Sequence, residues 1–343
     1  MITHFSHSHK QRLVELRPWI SALAISYVMI GHLAGVACCL SAHPALHVPG
    51  ILLLAHTTVM SGLLNHELMH RAVFRRARTN DWFGAVLSIF NGGCYVQFDL
   101  LRRQHMAHHL HKVGYDSFSV TEWVRTLPTL AQAVFVAMEY CYFPVLSLLS
   151  RARALLYPFF NTKYASMRLR IALVFCARMA FLCGLYVIQP WSILSFAVAH
   201  LVMITMFRLF DCYHHTFDVV PLGSRPPGHP DGYEQERTFS SLLSREHPWF
   251  NALFLNYGYH NAHHQLFAAP WYRLPEIDRH MFGGAAPHHI LLGEWLRGYH
   301  RHRITRIYEG IGRPTARDGR LTTDSFHGII MNLSFMDYDY NDT

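Results

Sequence analysis

The chain has 343 residues, 51% of them apolar and only 15% charged, with a formal charge of +8 carried almost wholly by arginine. Soluble domains hold roughly a quarter charged residues, so this deficit points to a membrane protein. No basic stripe with interleaved aromatics marks a nucleic-acid groove, and the charge reads instead as flanks of membrane helices.

Residues 1–18 are polar. Trp19 to Leu40 contains no Asp, Glu, Lys or Arg, and at about 1.5 Å per residue it is long enough to cross a hydrocarbon core of about 30 Å. The run is too long for the apolar part of a signal peptide, and Ser41-Ala42-His43-Pro44 reads as a tight turn into a second span, Ala45 to Asn65. That span delivers the chain into His66. Phe83 to Phe98, broken by Gly92-Gly93, reads as an interfacial segment. Thr129 to Ser150, with Glu139 and Pro144, reads as interfacial or re-entrant. Ile171 to Ile188 and Trp191 to Phe207 are the third and fourth spans, joined by a turn at Gln189-Pro190. Arg178, inside the third, is expected to face a partner or snorkel.

Both turns lack Lys and Arg, whereas the opposite ends of the spans are rich in arginine. The positive-inside rule therefore places both termini and every histidine cluster on the cytoplasmic side. Val220 to Gly232 reads as a loop and Thr238 to His264 as helical pieces broken at Pro248. The expected fold is all-α: four transmembrane helices with a cytoplasmic helical cap, one domain over 1–310, and a loosely held polar tail over 311–343.

The compositional outlier is histidine, with 27 residues. His66 and His70 flank Glu67-Leu68-Met69 and share a helix face. His105, His108 and His109 fall at i, i+3 and i+4, and His260, His263 and His264 repeat that spacing. Imidazole is the commonest side-chain metal ligand. Eight such groups exceed the four ligands of a tetrahedral zinc and suit two metals of higher coordination. His66 to His70 also matches H-E-x-x-H, so a membrane zinc protease is an alternative, although two H-x-x-H-H clusters have no role there.

Asp211 and His215 stand four apart just after the fourth span, and either is within reach of a metal near the membrane surface. Of the pair His214-His215, one is expected to point inward. His215 is preferred, and His214 reads as a supporting or surface group. Asp211 reads equally well as a hydrogen-bond partner at the helix end. His32, His47, His56 and His200 read as groups bonded to neighbouring helices, and His288-His289 and His300 as surface groups. The seven cysteines form no C-x-x-C pair and no iron–sulfur spacing.

These residues resemble the membrane fatty acid desaturase superfamily, which includes acyl-lipid desaturases, alkane hydroxylases and carotenoid ketolases and hydroxylases. Its three histidine boxes are matched by His66/His70, His105/His108/His109 and His260/His263/His264, with two spans between the second and third. Arg102-Arg103-Gln104-His105 leading to Asp116, and His264-Gln265-Leu266-Phe267 leading to Pro270-Trp271-Tyr272-Arg273-Leu274-Pro275, agree in context. His215-Thr216 resembles an additional His-Thr of the acyl-lipid desaturases. The likeness covers about 45–280.

The resemblance implies two irons cycling between Fe2+ and Fe3+, with O2 as co-substrate. It implies ligation by His66, His70, His105, His108, His109, His215, His260, His263 and His264, with Asp211 a tenth contact, direct or through water. The substrate implied is a lipid or acyl chain losing hydrogen from an unactivated C–H bond, chemistry that the metal must carry. Loss of a second hydrogen gives an alkene and capture of oxygen gives an alcohol, and substrate position decides between them. Fatty acyl desaturation is the first reading, with hydroxylation or ketolation of an alkane, acyl chain or carotenoid second. The chain has no fused haem motif, so a separate electron donor of ferredoxin or cytochrome b5 type is expected on the arginine-rich face, in a setting such as the bacterial inner membrane.

Overall fold

Two hairpins of long apolar helices carry the molecule, and everything that bears histidine clusters is attached to one end of them. In this computed structural model residues 5–330 are described, apart from 117–119, 222–223, 284, 286 and 318. The first half of the chain forms helices α1 (His7–Leu13), α2 (Pro18–Cys39), α3 (His47–Met69), α4 (Ala77–Asn91), α5 (Phe98–His111), α6 (Val120–Thr126), α7 (Thr129–Tyr140) and α8 (Val145–Phe160). The second forms α9 (Arg168–Ile188), α10 (Trp191–Asp211), α11 (Tyr233–Glu236), α12 (His260–Gln265), α13 (Leu274–Phe282), α14 (Leu292–Arg301) and α15 (Thr305–Tyr308).

Four helical stretches, containing α2, α3, α9 and α10, are long and apolar enough to cross a membrane. Their outward faces are apolar: Leu23, Ile30 and Leu33 on α2 and Leu169, Leu173 and Val187 on α9 are exposed. Such surface is stable against lipid and unfavourable in water. The turns of the two hairpins lie together, Gln189 Nε2 donating to Ser41 O at 3.3 Å. The starts of α2 and α9 and the ends of α3 and α10 therefore share the other end. Helix α3 is the hub, packed against α2, α4 and α10, with Leu54, Leu63, Leu64 and Leu68 fully buried.

Helix α4 lies against α3, where Asn65 Nδ2 donates to Ser88 Oγ at 2.9 Å. Helices α7 and α8 bend by 112° at a short break, the form of a broken span or a re-entrant segment. Glu139 holds the corner by accepting from Leu146 N at 3.0 Å and pairing with Arg208 of α10 at 2.8 Å. Arg178 of α9 donates to Ile89 O at 3.1 Å, so its charge finds a backbone partner as its position demands.

The all-α expectation is corrected in detail. Among the described residues, six three-residue strands form three ladders. Strand β1 (Gly114–Asp116) pairs in parallel with β2 (Val219–Pro221), β3 (Ser240–Leu242) in parallel with β4 (His289–Leu291), and β5 (Thr315–Arg317) antiparallel with β6 (Arg320–Thr322). Strand β3 lies where a helical piece was expected. Three-residue ladders are too short to leave a periodic trace in sequence.

Two further expectations change. His289 is not a surface group: it is buried, with Nε2 2.9 Å from Asp278 Oδ1. Part of the expected tail packs on the body. Phe326 is fully buried against Tyr213 and Phe239, and Ile329 N donates to Cys212 O at 2.8 Å. An aromatic anchor in an otherwise polar stretch gives little sequence signal. The rest of the expected tail, 331–343, lies outside the described residues.

Candidate metal centre

The first two clusters sit at the ends of helices that stop immediately beyond them. Helix α3 continues past the predicted end of the second span, through His66, to cap at His70, and Arg71 then turns the chain with φ 58°. Helix α5 carries His105, His108 and His109 and is capped by Lys112 with φ 56°. Left-handed conformations at residues other than glycine are uncommon and mark constrained turns.

The third cluster is on α12, whose residues 260–264 are all buried. Asn261 ties that short helix to β3. Its Nδ2 donates to Thr238 O at 2.7 Å, and its Oδ1 accepts from Ser240 Oγ at 3.0 Å. Gly258 makes the approach possible, because a Cβ there would lie 2.1 Å from Ser241 O.

These elements bring all nine predicted histidines together. His66, His70, His105, His109 and His263 offer nitrogens within 4.8 Å of one another, and His108, His215 and His264 form a second such group. His260 lies beside the second group, its Nε2 being 2.8 Å from His215 Nε2. Residues separated by nearly 200 positions are in contact: the His66 and His263 rings are 4.5 Å apart.

The nitrogen arrangement suits cations better than hydrogen bonds. His105 Nε2 faces His70 Nε2 at 2.7 Å and His109 Nε2 at 3.2 Å. His109 Nε2 also faces His263 Nε2 at 3.2 Å, and His215 Nε2 faces His108 Nε2 at 3.2 Å. One imidazole nitrogen carries either a proton or a lone pair, so it cannot satisfy two like nitrogens at once. At metal–nitrogen lengths of about 2.0–2.1 Å, neighbouring ligands stand about 3 Å apart. His66 Nε2 and His264 Nε2 are buried without a hydrogen-bond partner among the described residues. These residues therefore fit a pair of metal ions.

Burial, followed by the charge of neighbouring imidazoles, pushes His105, His109, His215, His260, His263 and His264 well below the ordinary imidazole range. They are neutral at pH 7, the form that ligates metal.

Outer partners fix several rings. His108 Nδ1 lies 2.9 Å from Val113 O, His215 Nδ1 3.2 Å from Thr238 Oγ1, and His264 Nδ1 2.8 Å from Glu234 Oε1. Glu234 also stands with His109 and His264 in a third group able to hold an ion, and its other oxygen is 3.6 Å from Lys112 Nζ. Glu234 had no spacing signal, since it lies 30 positions from His264 in a loop-like stretch. The exchange Glu234→Gln is expected to weaken metal affinity by about 10–100-fold while the fold stands. Chelator titration against thermal unfolding measures both.

Asp211 belongs to neither histidine group, although it shares the cavity wall with His108 and His215. Its Oδ1 accepts from Tyr257 at 2.7 Å and lies 3.6 Å from His214 Nδ1. His214 is buried rather than on the surface, stacked on His260 with centroids 3.9 Å apart. Tyr257, three positions before His260, was not anticipated, although that helical spacing could have drawn notice.

A cavity of about 500 Å³ opens onto the histidines, with His66, His105, His108 and His215 in its wall and Leu63, Met203 and Phe207 among its apolar lining. An apolar space ending in convergent polar groups is the usual form of a small-molecule site.

Long apolar helices and clustered imidazoles define the class: a helical membrane protein with histidine groups able to hold metal at one end of its spans. The profile of the family described as Fatty acid desaturase matches residues 42–295, and the chain belongs to that family. A search of curated proteins finds no match.

Proposed function

We propose that the protein is an O2-dependent di-iron fatty acyl desaturase, its irons held by His66, His70, His105, His109 and His263 on one side and by His108, His215, His260 and His264 on the other. The observation that carries this reading is the convergence of nine imidazoles on the mouth of an apolar cavity. When bound, two irons supply the oxidising power for O2 to take hydrogen from an unactivated C–H bond.

The chain's own residues do the rest. Glu234, Thr238 and the Val113 carbonyl hold the rings in place. Asp211 acts through Tyr257 and His214 rather than on a metal. Leu63, Met203 and Phe207 exclude water and align an acyl chain, so that geometry selects which hydrogen is lost. The arginine-rich face is assigned to the cytoplasmic side. The exposed arginines Arg71, Arg75 and Arg76, just beyond His70, offer an acidic electron donor a docking surface.

Glu67 argues against the zinc-protease reading. It is buried, with Oε2 accepting from Trp271 N at 2.9 Å and Oε1 3.5 Å from His66 Nδ1. A carboxylate fixing the loop after the third box is not free to activate water. Lipid mass spectrometry of cells expressing the chain, with and without His263→Ala, tests the proposal. A new double bond that vanishes in the variant is expected. A product that gains oxygen would move the protein to the hydroxylases and ketolases.

A further inference from the structure

Three large apolar side chains stand open on a segment that is not one of the long helices. Trp249, Phe250 and Leu253 belong to the 3-10 stretch Pro248–Phe254. Trp249 is 64% exposed and Leu253 48%, and the Trp249 and Phe250 rings stack with centroids 3.9 Å apart. Water disfavours such a cluster, which marks a surface that something apolar covers.

The stretch lies alongside two spans rather than beyond their ends. The Leu253 carbonyl accepts from His56 Nε2 of α3 at 3.1 Å. With that nitrogen donating, a neutral imidazole keeps an acceptor at Nδ1, and the Tyr27 hydroxyl of α2 donates to it at 2.6 Å. The next residue, Phe254, packs its ring 5.4 Å from that of His56 and 4.9 Å from that of Phe210 on α10. Tyr27 comes ten positions after Arg17, and His56 ten positions before His66. Ten residues of helix rise about 15 Å, half of a hydrocarbon core of about 30 Å. Two helices thus give the same depth for Leu253. The flanks of this latch are open as well: Leu23 and Ile30, a turn to either side of Tyr27, and Leu52, a turn before His56, are all exposed.

Irregular backbone survives at membrane depth only where its polar groups are paired within the protein. This stretch is built that way. Asn251 is buried, its Oδ1 accepting from Leu243 N at 2.8 Å and its Nδ2 donating to Ser244 O at 2.6 Å and Pro248 O at 3.2 Å. Phe250 N donates to His247 O, Leu255 N to Ala252 O and Asn256 N to Asn251 O.

We propose that Pro248–Phe254 is a wedge inserted into the lipid leaflet on the histidine side, latched at Leu253 by His56 and Tyr27, with Trp249, Phe250 and Leu253 against acyl tails of the bilayer. Continuity with the open apolar faces of α2 and α3 selects lipid, rather than a protein partner, as the cover. The third histidine cluster starts six residues past the wedge, so its own loop ties it to the bilayer. The inference holds whatever reaction the histidines support.

Tryptophan fluorescence of the full chain in nanodiscs tests it. The discs hold phosphatidylcholine with plain or brominated acyl chains, bromine quenching an indole only at close range. Subtracting the spectrum of Trp249→Phe isolates Trp249 from the rest of the seven tryptophans. Trp249 is expected to lose most of its emission in brominated lipid and to ignore iodide in the water. His56→Ala, which takes the donor from the Leu253 carbonyl, should loosen the wedge and admit iodide. Iodide quenching with no response to bromine in the otherwise native chain puts the segment in water and overturns the proposal. Protection from both quenchers puts a protein surface over it, a second copy or another partner, and overturns it equally. A His56→Ala chain as well shielded as its parent refutes the latch.

Discussion

Replacing His109 by alanine is expected to reduce bound iron from near two per chain to one or fewer and to bring product formation below detection. His109 occupies the joint between the two histidine groups. Its Nε2 is 3.2 Å from both His105 Nε2 and His263 Nε2, and its ring is 4.3 Å from that of His264. Its removal leaves four nitrogens in the first group and withdraws the wall that separates it from the second. The fold should persist, because apolar packing of α3 against α2, α4 and α10 lies away from this ring. His111 is the control: on the same helix it contacts Tyr115 and belongs to neither group, so His111→Ala should retain both irons. Iron analysis, thermal unfolding and lipid analysis on the two variants read the contrast. Full iron content and unchanged product in the His109 variant would remove the centre from the chemistry.

Glu139→Ala is expected to destabilise the protein by about 3–5 kcal/mol, the range for leaving one member of a buried ion pair alone. Glu139 and Arg208 pair at 2.8 Å with side chains only 2% and 7% exposed. The same carboxylate caps the α7–α8 corner through Leu146 N. Arg208 stands seven positions before His215, so disorder there reaches the second histidine group. Replacing both partners, Glu139→Met with Arg208→Met, should recover much of the loss, since an apolar pair of similar size leaves no stranded charge. Thermal unfolding of the single and double variants measures this. A double variant no better than the single would mean that the corner hydrogen bond, not the ion pair, dominates.

Much of the architecture was written in one-dimensional pattern. Uncharged runs of about 20 residues announce spans because the hydrocarbon core sets their length. Arginine at one set of ends and its absence from 41–44 and 189–190 announced two hairpins with all clusters at one end, and the contact between Gln189 and Ser41 is the geometric form of that pattern. Helical spacing gave the members of each box, because residues three and four apart share a face. The short ladders, the burial of His289 and the docking of Phe326 left no such trace, since each depends on partners distant in sequence.

The sequence by itself determined the apolar helices, their pairing and the three histidine clusters, because these follow from local spacing and from transfer of apolar groups out of water. Only the tertiary structure decided how those imidazoles group, with His66, His70, His105, His109 and His263 in one set and His108, His215 and His264 in another. It alone turned Asp211 toward Tyr257 and brought Glu234 to His264. Those outcomes depend on which side chains meet across helices, a matter of packing in three dimensions that no local period encodes.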